Sequence, residues 1–118
     1  MGKLKNLQII KNEELPMTKL YFAYGANTDM DSMGMRCPKA KPVGRGTLWD
    51  YMLVFRRVAD IIRNNDHVVQ GGLWEITADC EASLDRFEGF PNFYTKREVS
   101  VVVKGSDRPV KAMAYVMN

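Results

Sequence analysis

Ser83-Leu84-Asp85-Arg86-Phe87-Glu88-Gly89-Phe90-Pro91-Asn92-Phe93-Tyr94 reads as a helix that stops abruptly on an acid. Leu84 and Phe87, three residues apart, supply an apolar stripe, and Gly89 followed by Pro91 ends the helix. Glu88 is then the last helical residue. A carboxylate there faces the negative end of the macrodipole, which makes it hold its proton more tightly. The aromatic neighbours Phe87, Phe90, Phe93 and Tyr94 can desolvate it in part and raise its pKa towards the working pH of a general base. The plainer reading is a solvated glutamate at a frayed helix end.

On the N-terminal side, Thr77 is the expected cap of this helix, with Asp79 and Glu81 in its first turn and Cys80 a small core contact. Val68 to Ile76 reads as a buried strand in which Gly71-Gly72 permit close backbone approach. Asn64-Asn65-Asp66 is a turn signal with His67 at its edge, and Ala59 to Ile62 a second short strand. Gly46 to Val54 carries Trp49, Tyr51 and Leu53 at alternate positions, continuing to Phe55. This predicts a strand that starts after a bulge at Gly44-Arg45-Gly46. On the C-terminal side, Arg97, Val99, Val101 and Val103 mark a strand, Gly105-Ser106-Asp107 a turn, and Val110 to Met117 its partner.

Lys19 to Tyr24 is an aromatic-rich strand broken by Gly25-Ala26-Asn27. Thr28, three residues before Asp31, gives a capping-box pattern that opens a short helix, ended by Cys37-Pro38. A strand, glycine turn and helix start in that order can gather backbone N–H groups into a concavity suited to a carboxylate or phosphate; an ordinary strand-to-helix turn has the same pattern. Asp29 and Asp31 weaken an anion site but suit a ligand that also carries an ammonium group. Lys39, Lys41 and Arg45 read as a solvated basic loop.

The 118 residues, 46% of them hydrophobic, support one domain with one ordinary core. We assign it to 18–118, preceded by an extension over 1–17 that is loosely attached or adds an edge strand, with Met17 an alternative start. Half a dozen strands and two short helices, with no repeated strand–helix–strand rhythm, predict an α+β domain: a small mixed β-barrel or curled sheet flanked by the helices. The net charge of +3 makes no demand for nucleic acid. Cys37 and Cys80 lie far apart and His67 is the only histidine, so the sequence offers no metal-ligand pattern and no histidine triad, and no cofactor is expected. Without a signal peptide or an apolar run long enough to span a bilayer, the expectation is a reduced, cytoplasmic protein with no membrane partner. Asn6 stands where a myristoylation motif beginning at Gly2 requires Ser or Thr.

Taken together, Tyr21-Phe22-Ala23-Tyr24-Gly25-Ala26-Asn27 and Leu84-Asp85-Arg86-Phe87-Glu88-Gly89 with Tyr94 resemble the gamma-glutamylcyclotransferase family, including its AIG2-like and gamma-glutamylamine branches. Val58 to Ile61 and Gly71 to Ile76 look like that family's intervening strands, so the resemblance spans roughly Leu20 to Met117. It implies a small β-barrel with the Tyr-Gly turn at its mouth, and release of 5-oxoproline from a small-molecule gamma-glutamyl substrate. It also implies Glu88 as the catalytic acid/base, and substrate binding by Tyr21, Tyr24, Gly25, Ala26, Asn27 and Tyr94. The family's usual serine in this turn is Ala26 here, which removes a hydroxyl but keeps the backbone N–H.

Such an enzyme needs no protein nucleophile, in keeping with the residues present. Two other functions compete with it: a binding module of the same fold that recognises a carboxylate metabolite or partner peptide, and, more weakly, nucleic-acid binding through Arg56, Arg57, Arg63 and the basic loop.

Overall fold

The computed structural model describes residues 17–28 and 30–118. Its order is β1 (Thr18–Ala23), a 3-10 turn (Ala26–Thr28), α1 (Met30–Arg36), β2 (Lys41–Arg56), β3 (Val58–Thr77), α2 (Ala78–Glu88), β4 (Tyr94–Val103) and β5 (Pro109–Met117). The expected extension over 1–17 lies outside the described residues but for Met17, which is exposed.

The strands close a barrel in the order β1-β3-β2-β4-β5. All neighbours are antiparallel except β1 and β5, which meet in parallel at Tyr21 and Met113, so the barrel is mixed. Alternation along each strand sends one set of side chains inward and the other out. Phe22, Leu48, Leu73, Val99, Val101, Ala112, Ala114 and Val116 belong to one core cluster. Tyr21, Trp74, Ile76, Met113 and Tyr115, their neighbours along β1, β3 and β5, belong to a second, with Met33 of α1 and Leu84 of α2. Those three strands are buried on both faces because the helices cover one side of the barrel. Gly71 is required at the crossing: a Cβ there would lie 2.4 Å from the Ala23 carbonyl oxygen and 2.8 Å from the Phe22 ring.

Five strands form rather than half a dozen, because the stretches expected on either side of Asn64-Asn65-Asp66 are one 20-residue strand, β3. The turn residues are absorbed as an irregularity: pairing passes from Trp49–Val68 to Tyr51–Arg63, so Asn64 to His67 face the single residue Asp50. Asp50 and Asp66 adopt left-handed φ of 66° and 67°, a conformation Asp tolerates better than most residues. The local preference is satisfied without ending the ladder, and a bulge of this kind bends the strand pair. The β2–β3 hairpin turns instead at Arg57, and its tip reaches the start of β4 and the end of β5. There the buried Asp60 carboxylate accepts the Met117 N–H at 2.9 Å, and Tyr94 OH donates to the Ala59 carbonyl at 2.6 Å. His67 is exposed and lies within this irregularity of β3. β2 also begins earlier than predicted, at Lys41, and its irregularity falls between Pro42 and Gly44.

The reading of Cys37 and Cys80 as separate thiols is corrected, since the two form a disulfide. Cys80 is a core contact, as expected, but it is also a covalent one. The residues are 43 apart in sequence, and the fold brings the end of α1 against the start of α2. Free thiols therefore give no ground for assigning a reducing compartment. Among the described residues no helix is long and apolar enough to cross a membrane.

Closing a loop of this length restricts the unfolded chain. Reduction is therefore expected to lower the unfolding free energy by roughly 2–4 kcal/mol. Urea unfolding with and without reductant measures this, alongside a thiol assay of the denatured protein that finds no free thiol until reductant is added.

Candidate active site

Glu88 is placed by α2. Thr77 caps the helix by accepting the Cys80 N–H at 3.3 Å, and Leu84, fully buried, fixes the inner face. Gly89, at φ 68°, closes the helix: its N–H bonds Arg86 O, and Phe90 N–H bonds Asp85 O at 2.9 Å. This is the paired reversal that a glycine just past a helix end permits. Asp85 accepts from Tyr115 OH of β5 at 2.5 Å and from Lys96 of β4 at 3.1 Å, while Lys96 also holds Glu81 at 2.7 Å. The helix is thus tied to the barrel through its side chains as well as through the disulfide.

The other wall is the end of β1 and the turn after it. At Thr28 the hydroxyl donates back to the Gly25 carbonyl at 2.6 Å, and the N–H bonds the same oxygen at 3.0 Å. The 3-10 turn over Ala26–Thr28 ends on Thr28 and brings its side chain over Gly25. Asn27, almost completely buried, donates to Tyr21 OH at 3.3 Å and accepts from the Arg36 guanidinium at 2.8 Å. Tyr24 OH donates to the Tyr115 carbonyl, which pins the turn to β5.

Between these walls lies a cavity of about 290 Å3. Tyr21 lines it from β1, Tyr24, Gly25 and Asn27 from the turn, Phe87 and Glu88 from α2, and Tyr94 and Tyr115 from β4 and β5. Val58 and Ala59 come from the hairpin tip. Of the residues singled out in the sequence, Glu88, Tyr21, Tyr24, Gly25, Asn27 and Tyr94 therefore converge, and Ala26 sits within the same turn. The aromatic shell around Glu88 differs from expectation. Phe93 is largely exposed and stacks on Tyr94, Phe90 packs against the core, and the tyrosines of β1 and β5 take their place.

Glu88 is half-buried, and burial raises its pKa above the ordinary glutamate value, with Arg36 pulling it part of the way back. Burial likewise lifts Tyr94 to about 12, with Glu88 and Asp60 adding to the effect, and raises Tyr21, Tyr24 and Tyr115 further. The phenols stay protonated near neutrality, where they serve as hydrogen-bond donors. Glu88 is the carboxylate among the described lining residues. No group of residues suited to a metal ion occurs among the described ones.

Sequence reasoning missed Arg36, Tyr115 and the hairpin tip. Arg36 looks like any helical arginine, and Tyr115 like any strand aromatic. The tip reaches the site through a bend whose only signal, Asn64-Asn65-Asp66, reads equally well as a strand end.

The fold and cavity define a class: a small mixed barrel with helices on one side and a half-buried carboxylate across a cavity from a glycine turn. Residues 21–118 match the family described as gamma-glutamyl cyclotransferase, AIG2-like, and the chain belongs to that family. Membership supports a cyclotransferase type of function in general terms. No curated protein matches the sequence. Among solved structures, a gamma-glutamyl cyclotransferase superposes with a TM-score of 0.77 at 24% identity, covering 86% of this chain and 68% of its own. A human protein described as uncharacterised gives 0.76 at 25% identity, over 86% and 67% of the two chains. A mouse AIG2-like protein gives 0.73 at 21% identity, over 85% and 77%.

A carboxylate whose folded-state pKa is raised destabilises the protein once pH exceeds that pKa, and costs nothing below the unfolded value, where both states are protonated. Glu88→Gln is therefore expected to melt higher than wild type at pH 7. The gap should close as pH falls through the ordinary glutamate range, as followed by thermal melts across pH.

Proposed function

We propose that the protein converts a small gamma-glutamyl compound into 5-oxoproline and a free amine or amino acid, with Glu88 as the general acid/base. The observation that carries this reading is Glu88 itself: a half-buried carboxylate of raised pKa, facing a glycine turn across a cavity of small-molecule size.

A gamma-glutamyl group brings its own nucleophile. Its α-amine folds onto the γ-carbonyl carbon, a C–N bond forms and closes a five-membered lactam, and the original γ-amide C–N bond breaks. The protein's task is to hold the folded conformer and move protons. Holding alone is worth about 7–11 kcal/mol where effective molarities are high. Backbone N–H groups at Gly25, Ala26 and Asn27 receive the α-carboxylate, and Tyr21 and Tyr24 shape the turn around it. Glu88 takes a proton from the attacking ammonium and returns one to the departing amine, a role worth roughly 10²–10⁴ in rate. Tyr94, bonded to Ala59, holds the hairpin tip against the site, and Val58, Phe87 and Tyr115 enclose the reacting amide.

No cofactor enters this chemistry. The nucleic-acid alternative draws little from the arginines named for it, since Arg63 lies over the Tyr51 ring and Arg56 beside Asp60.

A panel of gamma-glutamyl amino acids, peptides and amines assayed for free 5-oxoproline tests the proposal. At least one compound is expected to turn over, with an acid limb in kcat/KM above the ordinary glutamate pKa. Glu88→Gln is expected to lower the rate by about 10²-fold or more while keeping the wild-type circular dichroism. A folded, fully active Glu88→Gln protein contradicts the assignment, and binding of 5-oxoproline without turnover of any compound supports the binding module instead.

A further inference from the structure

Arg36 stands at the end of α1, outside the set of residues that line the cavity, yet four features of the site meet at it. One guanidinium nitrogen donates to Asn27 Oδ1 at 2.8 Å and to the Ser32 carbonyl at 3.1 Å. Its Cζ lies 3.5 Å from the centre of the Phe87 ring, the residue before Glu88. Its charge acts on Glu88, although among the described residues no ion pair within hydrogen-bonding reach joins the two. The residue next to it, Cys37, is bonded to α2 through Cys80.

We propose that Arg36 is a positioning residue of the active site, whose planar guanidinium clamps the Asn27 side of the substrate turn to the Phe87 end of α2 and supplies the positive charge that faces Glu88. This inference rests on the reading of Glu88 as the acid/base.

The two parts of the role have separate physical origins. The clamp depends on shape: a flat, forked cation donates in its plane while its face stacks on an aromatic ring. A lysine ammonium does not reproduce that combination. The electrostatic part depends on charge, which lysine does reproduce. A neighbouring cation favours the ionised carboxylate, opposing the burial that favours the neutral acid. Because no direct ion pair forms, Glu88 keeps its lone pairs for the substrate ammonium. Burial and the Arg36 charge thus pull the Glu88 carboxyl in opposite directions, with burial the larger of the two.

The titratable groups that share the cavity with Glu88 are Tyr21 of β1, Tyr24 of the turn, Tyr94 of β4 and Tyr115 of β5, and Arg36 of α1 acts on it from outside the lining. Asp60 of β3 lies behind Tyr24 and Tyr94, and Asp85 of α2 is taken up by Tyr115 and Lys96. The phenols have pKa values of about 12 for Tyr94 and higher for the others, so none of them titrates with Glu88. Arg36 is the one cation among them that acts on Glu88.

Arg36→Gln and Arg36→Lys separate the two effects. The Glu88 carboxyl carbon is titrated by NMR in both variants and in wild type, and kcat and KM are measured against pH. In Arg36→Gln the Glu88 titration and the acid limb of kcat/KM are expected to move to higher pH. In Arg36→Lys both are expected to stay with wild type while KM rises roughly tenfold, the loss of one charge-assisted hydrogen bond. An unmoved titration in Arg36→Gln overturns the proposal, as does an equal upward movement in Arg36→Lys. If Arg36→Gln does not fold, Arg36→Lys decides: an unchanged titration with raised KM supports the proposal, and any other combination overturns it. The NMR titration needs no turnover. A shifted Glu88 in a protein that cyclises no gamma-glutamyl compound therefore sinks the proposed reaction and the positioning role that rests on it, whereas an unmoved Glu88 in an active protein sinks the Arg36 proposal alone.

Discussion

A carboxylate is kept half out of water because the helix that ends on it cannot leave the barrel wall. Leu84 anchors the middle of α2 in the core, the disulfide fixes its beginning, and Asp85 binds its end to β4 and β5 through Lys96 and Tyr115. Gly89 then turns the chain away in a left-handed conformation, which stops the helix on Glu88. Each of these contacts would be ordinary alone. Together they hold the end of α2 on the barrel wall with Glu88 half-buried, and its raised pKa is the electrostatic trace of that burial.

The same barrel wall places the opposing side of the cavity. β1 runs through the doubly buried region, so Phe22 faces one core cluster while Tyr21 and Ala23 face the other. The chain leaves the sheet at Tyr24 and must turn under the helices. A 3-10 turn held by Thr28 on Gly25 makes that reversal in few residues, and the buried Asn27 side chain has partners on both sides. A buried amide without them would be costly. Arg36 is therefore part of the turn's own hydrogen bonding as well as of the electrostatics around Glu88.

Much of this was legible in the sequence, and the reasons differ by element. α2 was readable to the residue because its boundaries rest on local chemistry: a threonine cap, acids in the first turn and a glycine stop. β4 and β5 were readable from alternation and a glycine turn. The single long β3 was not, since Asn, Asn and Asp favour left-handed backbone whether the strand ends there or bulges, and only pairing with Asp50 selects the second. The disulfide was hidden for a related reason: two cysteines 43 residues apart carry no spacing pattern, and their meeting depends on both helices packing on one barrel face. Arg36 and Tyr115 were invisible as site residues because their roles exist only after the chain has closed on itself.

The account stands on two main-chain segments converging so that one acid side chain and one set of backbone donors can grip opposite ends of the same small molecule. A structure of the protein soaked with 5-oxoproline tests this most directly. The account predicts the product carboxylate within ~3 Å of the N–H groups between Gly25 and Asn27, and the lactam facing the Glu88 carboxylate at hydrogen-bonding distance. Product bound elsewhere on the barrel, or bound in this cavity with Glu88 turned out to solvent, would contradict it.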